Sequence, residues 1–294
     1  MSSYGPDLLS VCIRTYNQKS FVTKAIESVL SQKTSFPFSI IISDDHSNDG
    51  TIDILDHYYA LFPTKIKLLL GEKNIGGPAN LRRLIEASSS KYVVCLDGDD
   101  YFTDEYKLQK QVDFLENHQE YSACFHNTVN VNSEGRPISL FNPLDFPPIH
   151  DATSFINNKW FIPIHSALLR RQLIFFPEWY DSVINDDYVI HLSVVKHGPY
   201  YYCPDIMVAY RHHETNTSSI YKDQLLLDIR LRDILVGFRQ IYPDEFKPTF
   251  DKRINEYNDE ITALEFDIHH PWRKYLSFRT YKKWLKKQLR RLLL

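Results

Sequence analysis

Short apolar runs alternate with stretches of helical periodicity along the first third of the chain. Leu8–Thr15 reads as a buried strand, and Phe38–Ser43, Ile66–Leu70 and Tyr92–Leu96 repeat the pattern. After the first run, Phe21, Ala25, Ile26, Val29 and Leu30 fall on one helical face, with Ser20 placed to cap it. Helices are predicted again from about Thr51 to Leu61 and over Asn80–Ser88. Strands and helices alternating at this spacing imply βαβ units and a mainly parallel sheet. Right-handed crossovers place the carboxyl ends of those strands on one edge.

Beyond Asp104 the pattern loosens. A helix is expected over Tyr106–Asn117, a strand over Tyr121–Val131, and a proline-rich surface loop over Arg136–His150. Helical periodicity then covers 153–175 and 183–197, the second on the face Val183, Tyr188, Leu192 and Val195. A Tyr/Cys/Pro segment, Tyr200–Tyr210, precedes two helices of mixed charge over 221–240 and 251–268. No internal repeat or low-complexity tract is present.

At 294 residues and 43% hydrophobic, the chain suits a large α/β domain with an extension. Cys12, Cys95, Cys124 and Cys203 lie far apart without metal-type spacing, and read as reduced thiols of a cytosolic protein. Neither a signal segment nor a run long enough to span a membrane is read in it. The net charge of −3 conceals an asymmetry. Of the 34 Lys and Arg, nine fall between Trp272 and Leu294, where there is no acid, so the rest carries 25 bases against 37 acids.

Three strand ends concentrate chemistry: Thr15-Tyr16-Asn17, Asp44-Asp45, and Asp97-Gly98-Asp99-Asp100. Two Asp separated by a Gly that permits a tight turn can hold a hard divalent cation completed by diphosphate oxygens. An aromatic ring can stack on a base, and a carboxylate can accept from a base N–H. Equally, Asp and Gly are ordinary turn residues, and Asp186-Asp187 can be acids favoured in a first helical turn. Neither GxGxxG nor GxxxxGK[ST] occurs, so neither a dinucleotide fingerprint nor a P-loop is indicated.

Six segments in order, SVCIRTYNQ (10–18), IISDDHSNDGT (41–51), NIGGPAN (74–80), LDGDD (96–100), NDDYVIHLSVVKHG (185–198) and YRHHETNTS (210–218), resemble the family 2 glycosyltransferases. The resemblance implies a GT-A nucleotide-sugar-binding fold over 1–220, with a donor half at 1–104 and an acceptor half at 105–220. Residues 221–294 would form a helical extension. It implies that Thr15, Tyr16 and Asn17 line the nucleoside pocket, that Asp45 binds the base, and that Asp97 and Gly98 lie near the ribose. Asp99 and His213 would hold Mn²⁺ or Mg²⁺, and Asp187 would be the catalytic base. Arg82 stands where the family has Asn, either beside the diphosphate or on a helix surface. Trp160, His165, Trp179 and Asp186 are candidate acceptor contacts, the aromatics equally readable as loop and core residues.

The implied activity is metal-dependent, inverting transfer from a nucleotide-diphosphate sugar, UDP-linked by preference, to a hydroxyl of a glycan or lipid-linked acceptor in bacterial-type surface polysaccharide synthesis. A sugar nucleotidyltransferase would need a Gly-rich cationic loop after the first strand, which Thr15-Tyr16-Asn17-Gln18 does not supply. A nucleotide- or glycan-binding module with a vestigial site is the non-enzymatic alternative.

In the tail, Phe278, Tyr281, Leu285, Leu289 and Leu292 recur at helical spacing opposite Lys and Arg. That pattern fits an interfacial helix at the inner face of the cell membrane or a helix packed on protein. Nothing in the acidic body resembles a nucleic-acid motif. Flotation with anionic liposomes is expected for the full chain and should be lost on deleting 272–294; equal flotation rules out the membrane role.

Overall fold

A computed structural model describes residues 8–158, 161–213 and 223–269. The sequence-predicted alternation is realised as β1 (Leu9–Thr15), α1 (Val22–Leu30), β2 (Phe38–Asp44), α2 (Thr51–Leu61), β3 (Ile66–Leu70), α3 (Gly77–Glu86) and β4 (Tyr92–Asp97). The strands pair in parallel in the order β3-β2-β1-β4. The chain crosses from β1 outward to β3 and then returns to β4 beside β1, and that reversal opens a crevice at the carboxyl edge.

The sheet continues through β5 (Tyr101–Phe102), α4 (Lys107–Asn117), β6 (Ala123–Val131), β7 (Pro137–Leu140), β8 (Ile149–His150), α5 (Ala152–Asn157), β9 (Leu168–Arg170), α6 (Asp186–Val195) and β10 (Tyr200–Arg211). Antiparallel β9 joins β4 to β6, and β10 lies parallel to β6. One sheet therefore runs through both halves of the region.

Three expectations need correction. The helix predicted over 153–175 is only α5; a 3₁₀ turn at Ile164–Ser166 and strand β9 follow. Its apolar run fills the sheet between β4 and β6, where a short buried strand and a buried helix have the same composition. The 136–150 segment contains β7 and β8, not loop alone. Ser20 does not cap α1; Phe21 occupies that position without a side-chain hydrogen bond.

Both faces of the central strands β1, β2 and β4 are covered, which is why apolar residues fall on both of their faces rather than alternately. Leu9, Val11 and Ile13 pack under α1, α2 and α4. Cys12 and Cys95, register partners in β1 and β4, face the opposite layer with α3, α5 and α6. Two C-terminal helices, α7 (Gln224–Arg239) and α8 (Lys247–His269), add Leu235, Phe238, Phe250 and Tyr257 to that layer. The basic tail lies outside the described residues.

Helix α6 is buried along nearly its whole length. His191, among Phe155 and Tyr200, is pushed down to about 3 by burial, with a backbone hydrogen bond at Ile162 opposing it. The fold favours its neutral form over its charged form. Above the unfolded-state value of 6.5 it costs nothing; as pH falls from there toward 3, stability is lost at up to about 1.4 kcal/mol per pH unit. Urea unfolding of wild type and His191→Gln should give parallel pH curves above 6.5 and a smaller acid loss in the variant. Curves that stay parallel down to about pH 4 would contradict this assignment.

Candidate active site

The edge is assembled from strand-end turns locked to one another. Thr15 and Asp44 are register partners, and Thr15 Oγ1 donates to Asp44 Oδ2 at 2.8 Å. Ser47 donates to the same carboxylate through its N–H (2.8 Å) and hydroxyl (2.6 Å). Asn17 sits at φ 52°, a conformation Asn tolerates. Its N–H donates to Ser47 Oγ at 2.8 Å and its Oδ1 accepts from Asn48 N–H at 2.9 Å. Thr15 is thus fully buried, whereas Tyr16 between them is 49% exposed and presents its ring at the rim.

Asp45 is spent on the neighbouring loop. Its Oδ1 accepts from Ile75 N–H at 2.8 Å and its Oδ2 from Gly76 N–H at 2.9 Å. Gly76 has φ 90°, so the turn that offers both donors favours glycine. This clamp fixes the approach to α3 against the end of β2.

At the end of β4, Gly98 packs so closely on the β1 turn that a Cβ would lie 2.4 Å from Gln18 Oε1 and 2.8 Å from Thr15 Cγ2. The turn aims its three acids differently. Asp97 Oδ1 accepts from Arg14 Nε at 2.8 Å. Asp99 Oδ2 lies 2.9 Å from His213 Nε2, both side chains 11% exposed, and the imidazole stacks on Phe21. Asp100 is buried, its Oδ1 accepting from Arg211 N–H at 2.8 Å. His165 Nδ1 approaches Asp100 Oδ2 at 2.8 Å, off the hydrogen-bonding direction. Burial, then the charges of Asp99 and Asp97, push Asp100 well above the usual carboxylate range; burial pushes His165 down to about 4.

The first turn of α6 enters the same cleft. Asp186 Oδ2 accepts from Arg14 Nη1, while its Oδ1 accepts from Asp187 N–H at 3.0 Å. Asp187, half-buried, accepts from Tyr188 N–H at 2.8 Å. Burial alone would depress the Arg14 guanidinium, but the Asp186 and Asp97 carboxylates outweigh it and hold it well above its ordinary value.

The remaining candidates spread outward. Arg82 pairs with Asp181 beside an open groove of about 610 Å³ between the 73–75 loop, α3 and Asp181. Trp179 packs edge-on against Phe238 at 5.7 Å, on the core side of α7. His165 faces Asp100 in the interior, and Trp160 lies outside the described residues. Sequence reasoning missed Arg14 and Arg211. Arg14 had a visible signal, a lone cation closing an otherwise apolar strand; Arg211 had none beyond its place beside the histidines.

Against known proteins, the model of glycosyl transferase family 2 matches residues 10–175, more than half the chain. The chain belongs to that family. An uncharacterised Mycobacterium tuberculosis protein, Rv1520, is 32% identical over 208 residues, covering 70% of this chain and 59% of that one. Poly(ribitol-phosphate) β-N-acetylglucosaminyltransferase TarS of Staphylococcus aureus is 27% identical over 210 residues, covering 66% of this chain and 35% of its own. The TarS 1–349 structure with UDP superposes with a TM-score of 0.62 at 18% identity, covering 94% of this chain and 77% of that one. A Pyrobaculum calidifontis mannosyltransferase in complex with GDP-Man and Mn²⁺ gives 0.60 at 15% identity, covering 96% and 84%. The fold of this family member is accordingly the GT-A α/β fold.

Proposed function

We propose that this chain is a metal-dependent, inverting glycosyltransferase that moves a sugar from a nucleotide diphosphate, by preference UDP, to a hydroxyl of a surface-glycan acceptor. The observation that carries the reading is the Arg14 bridge. It brings the acids of the β4 turn and the first turn of α6, distant in sequence, to one cleft. Family membership supports transfer as the reaction class, and TarS and the mannosyltransferase were each solved with a nucleotide ligand.

Each side chain then has a task. Tyr16 offers a face for the base, with Asp45 and its clamped loop forming the opposite wall. Asp97 stands at the ribose side with Gly98, where the absent Cβ leaves room for the turn to close. Asp99 and His213 make a donor set of one hard oxygen and one imidazole, which suits Mn²⁺ or Mg²⁺. Among the described residues no cluster of three or more His, Cys, Asp or Glu is arranged to hold a metal, so further ligands would come from the diphosphate. When bound, the ion neutralises charge on the leaving diphosphate as a Lewis acid.

Asp187 takes the acceptor proton as the hydroxyl attacks. Holding donor and acceptor in line supplies much of the rate gain. With one base and no carboxylate assigned as nucleophile, a single displacement inverts the anomeric centre. The acceptor contact is assigned to Asp186 at the start of α6; Trp179 packs on Phe238 of α7 and His165 lies against Asp100 and Tyr210. No described helix is long and apolar enough to cross a membrane. Association with a lipid-linked acceptor is assigned to the 272–294 tail on its basic, amphipathic sequence.

Donor turnover across a panel of nucleotide sugars, with and without Mn²⁺, tests the reading. One nucleoside diphosphate should be released in a metal-dependent manner and not by Asp99→Ala. Asp187→Asn should lower transfer by about 100-fold or more while donor binding persists. Transfer surviving in Asp187→Asn would refute the base assignment.

A further inference from the structure

We propose that Arg14 is a positioning residue, whose guanidinium fork fixes the distance between the β4 turn and the first turn of α6, and so the place of Asp187. The inference rests on Asp187 being the base of the transfer reaction. Arg14 Nε donates to Asp97 Oδ1 at 2.8 Å, and Nη1 donates to Asp186 Oδ2 and to Gly77 O at 3.3 Å. One planar group therefore ties together the end of β4, the first residue of α3 and the start of α6. Arg14 and Asp97 are register partners on adjacent strands, so the sheet itself holds one arm of the fork.

Among the described residues, the ion pairs of Asp97 and of Asp186 are both with Arg14. Without that cation the two carboxylates face each other across a largely buried gap, and like charges at such range repel. The β4 turn is pinned by Gly98 and Asp100 to β1 and β10. The body of α6 is buried, but its first turn has no side-chain cap from Asn185 and is the less anchored side. Repulsion would displace that first turn, and with it Asp187. Of the donor site, Arg14 touches Asp97, which the strand register also holds, while the Asp45 clamp on the 75–76 amides stands without it, so loss of the fork should strike turnover harder than donor affinity. A lysine offers one point charge in place of a planar fork and can satisfy the two carboxylates only by turns.

The test uses the full chain as wild type, Arg14→Gln, Arg14→Lys, Asp186→Asn and the double variant Arg14→Gln/Asp186→Asn. The readouts are steady-state kinetics, calorimetric UDP binding with Mn²⁺, and melting temperature. Arg14→Gln should lose about 100-fold in turnover, the scale of a 1 Å misplacement, while UDP affinity stays within about fivefold. Arg14→Lys should recover part of the loss. Adding Asp186→Asn should raise turnover at saturating acceptor about tenfold over Arg14→Gln and raise the melting temperature, because the opposed charge is gone; saturation offsets the loss of Asp186 as an acceptor contact. A residue that merely filled space would show no such rescue. Turnover by Arg14→Gln within about threefold of wild type, or a double variant melting no higher than Arg14→Gln, overturns the proposal. A wild-type chain that turns over no nucleotide sugar overturns the transferase reading instead, and the melting comparison then decides the bridge by itself.

Discussion

A cation shared by two carboxylates, Arg14 between Asp97 and Asp186, is the contact on which the cleft depends. The sheet supplies the edge and α6 supplies a helix start, but neither says how far apart they stand. Withdrawing charged groups from water costs free energy, and in this partly buried bridge the loss of one partner leaves the others uncompensated. Such an arrangement is poor economy for stability alone, since apolar groups of similar volume would do as well. Its value is geometric: a guanidinium accepts only certain directions of approach, so it specifies where two acids lie.

Much of the remaining polar architecture serves the same end. Asp44 is consumed by Thr15 and Ser47, Asp45 by the amides of Ile75 and Gly76, and Asp100 by Arg211 with His165 against it. These acids hold turns in place, Asp45 as part of the proposed donor wall. Asp99 is different, because its near neighbour is an imidazole on a separate strand end, and such a pair can open toward a cation. One run of similar residues thus divides into structural and chemical roles according to what each side chain meets.

The donor half was legible because its strands are buried on both faces and its helices are amphipathic; α2 and β3 were bounded to the residue. Residues 153–175 misled for the same reason in reverse. An apolar stretch destined for a strand inside the sheet carries no period that distinguishes it from a buried helix. Site residues could be named from motif order, but their partners could not, since Arg14 and Asp186 stand 172 positions apart. Of the two readings open for His165 and Trp179, acceptor contact or core aromatic, their packing in the fold supports the second.

The central claim, that acids from separate segments serve one nucleotide-sugar cleft, is tested most directly by a crystal structure of the chain with UDP and Mn²⁺. The account predicts the diphosphate against Asp99 and His213, the base between Tyr16 and Asp45, and Asp187 opening toward the same cavity. UDP bound elsewhere on the molecule, or a cation held away from Asp99, would contradict it.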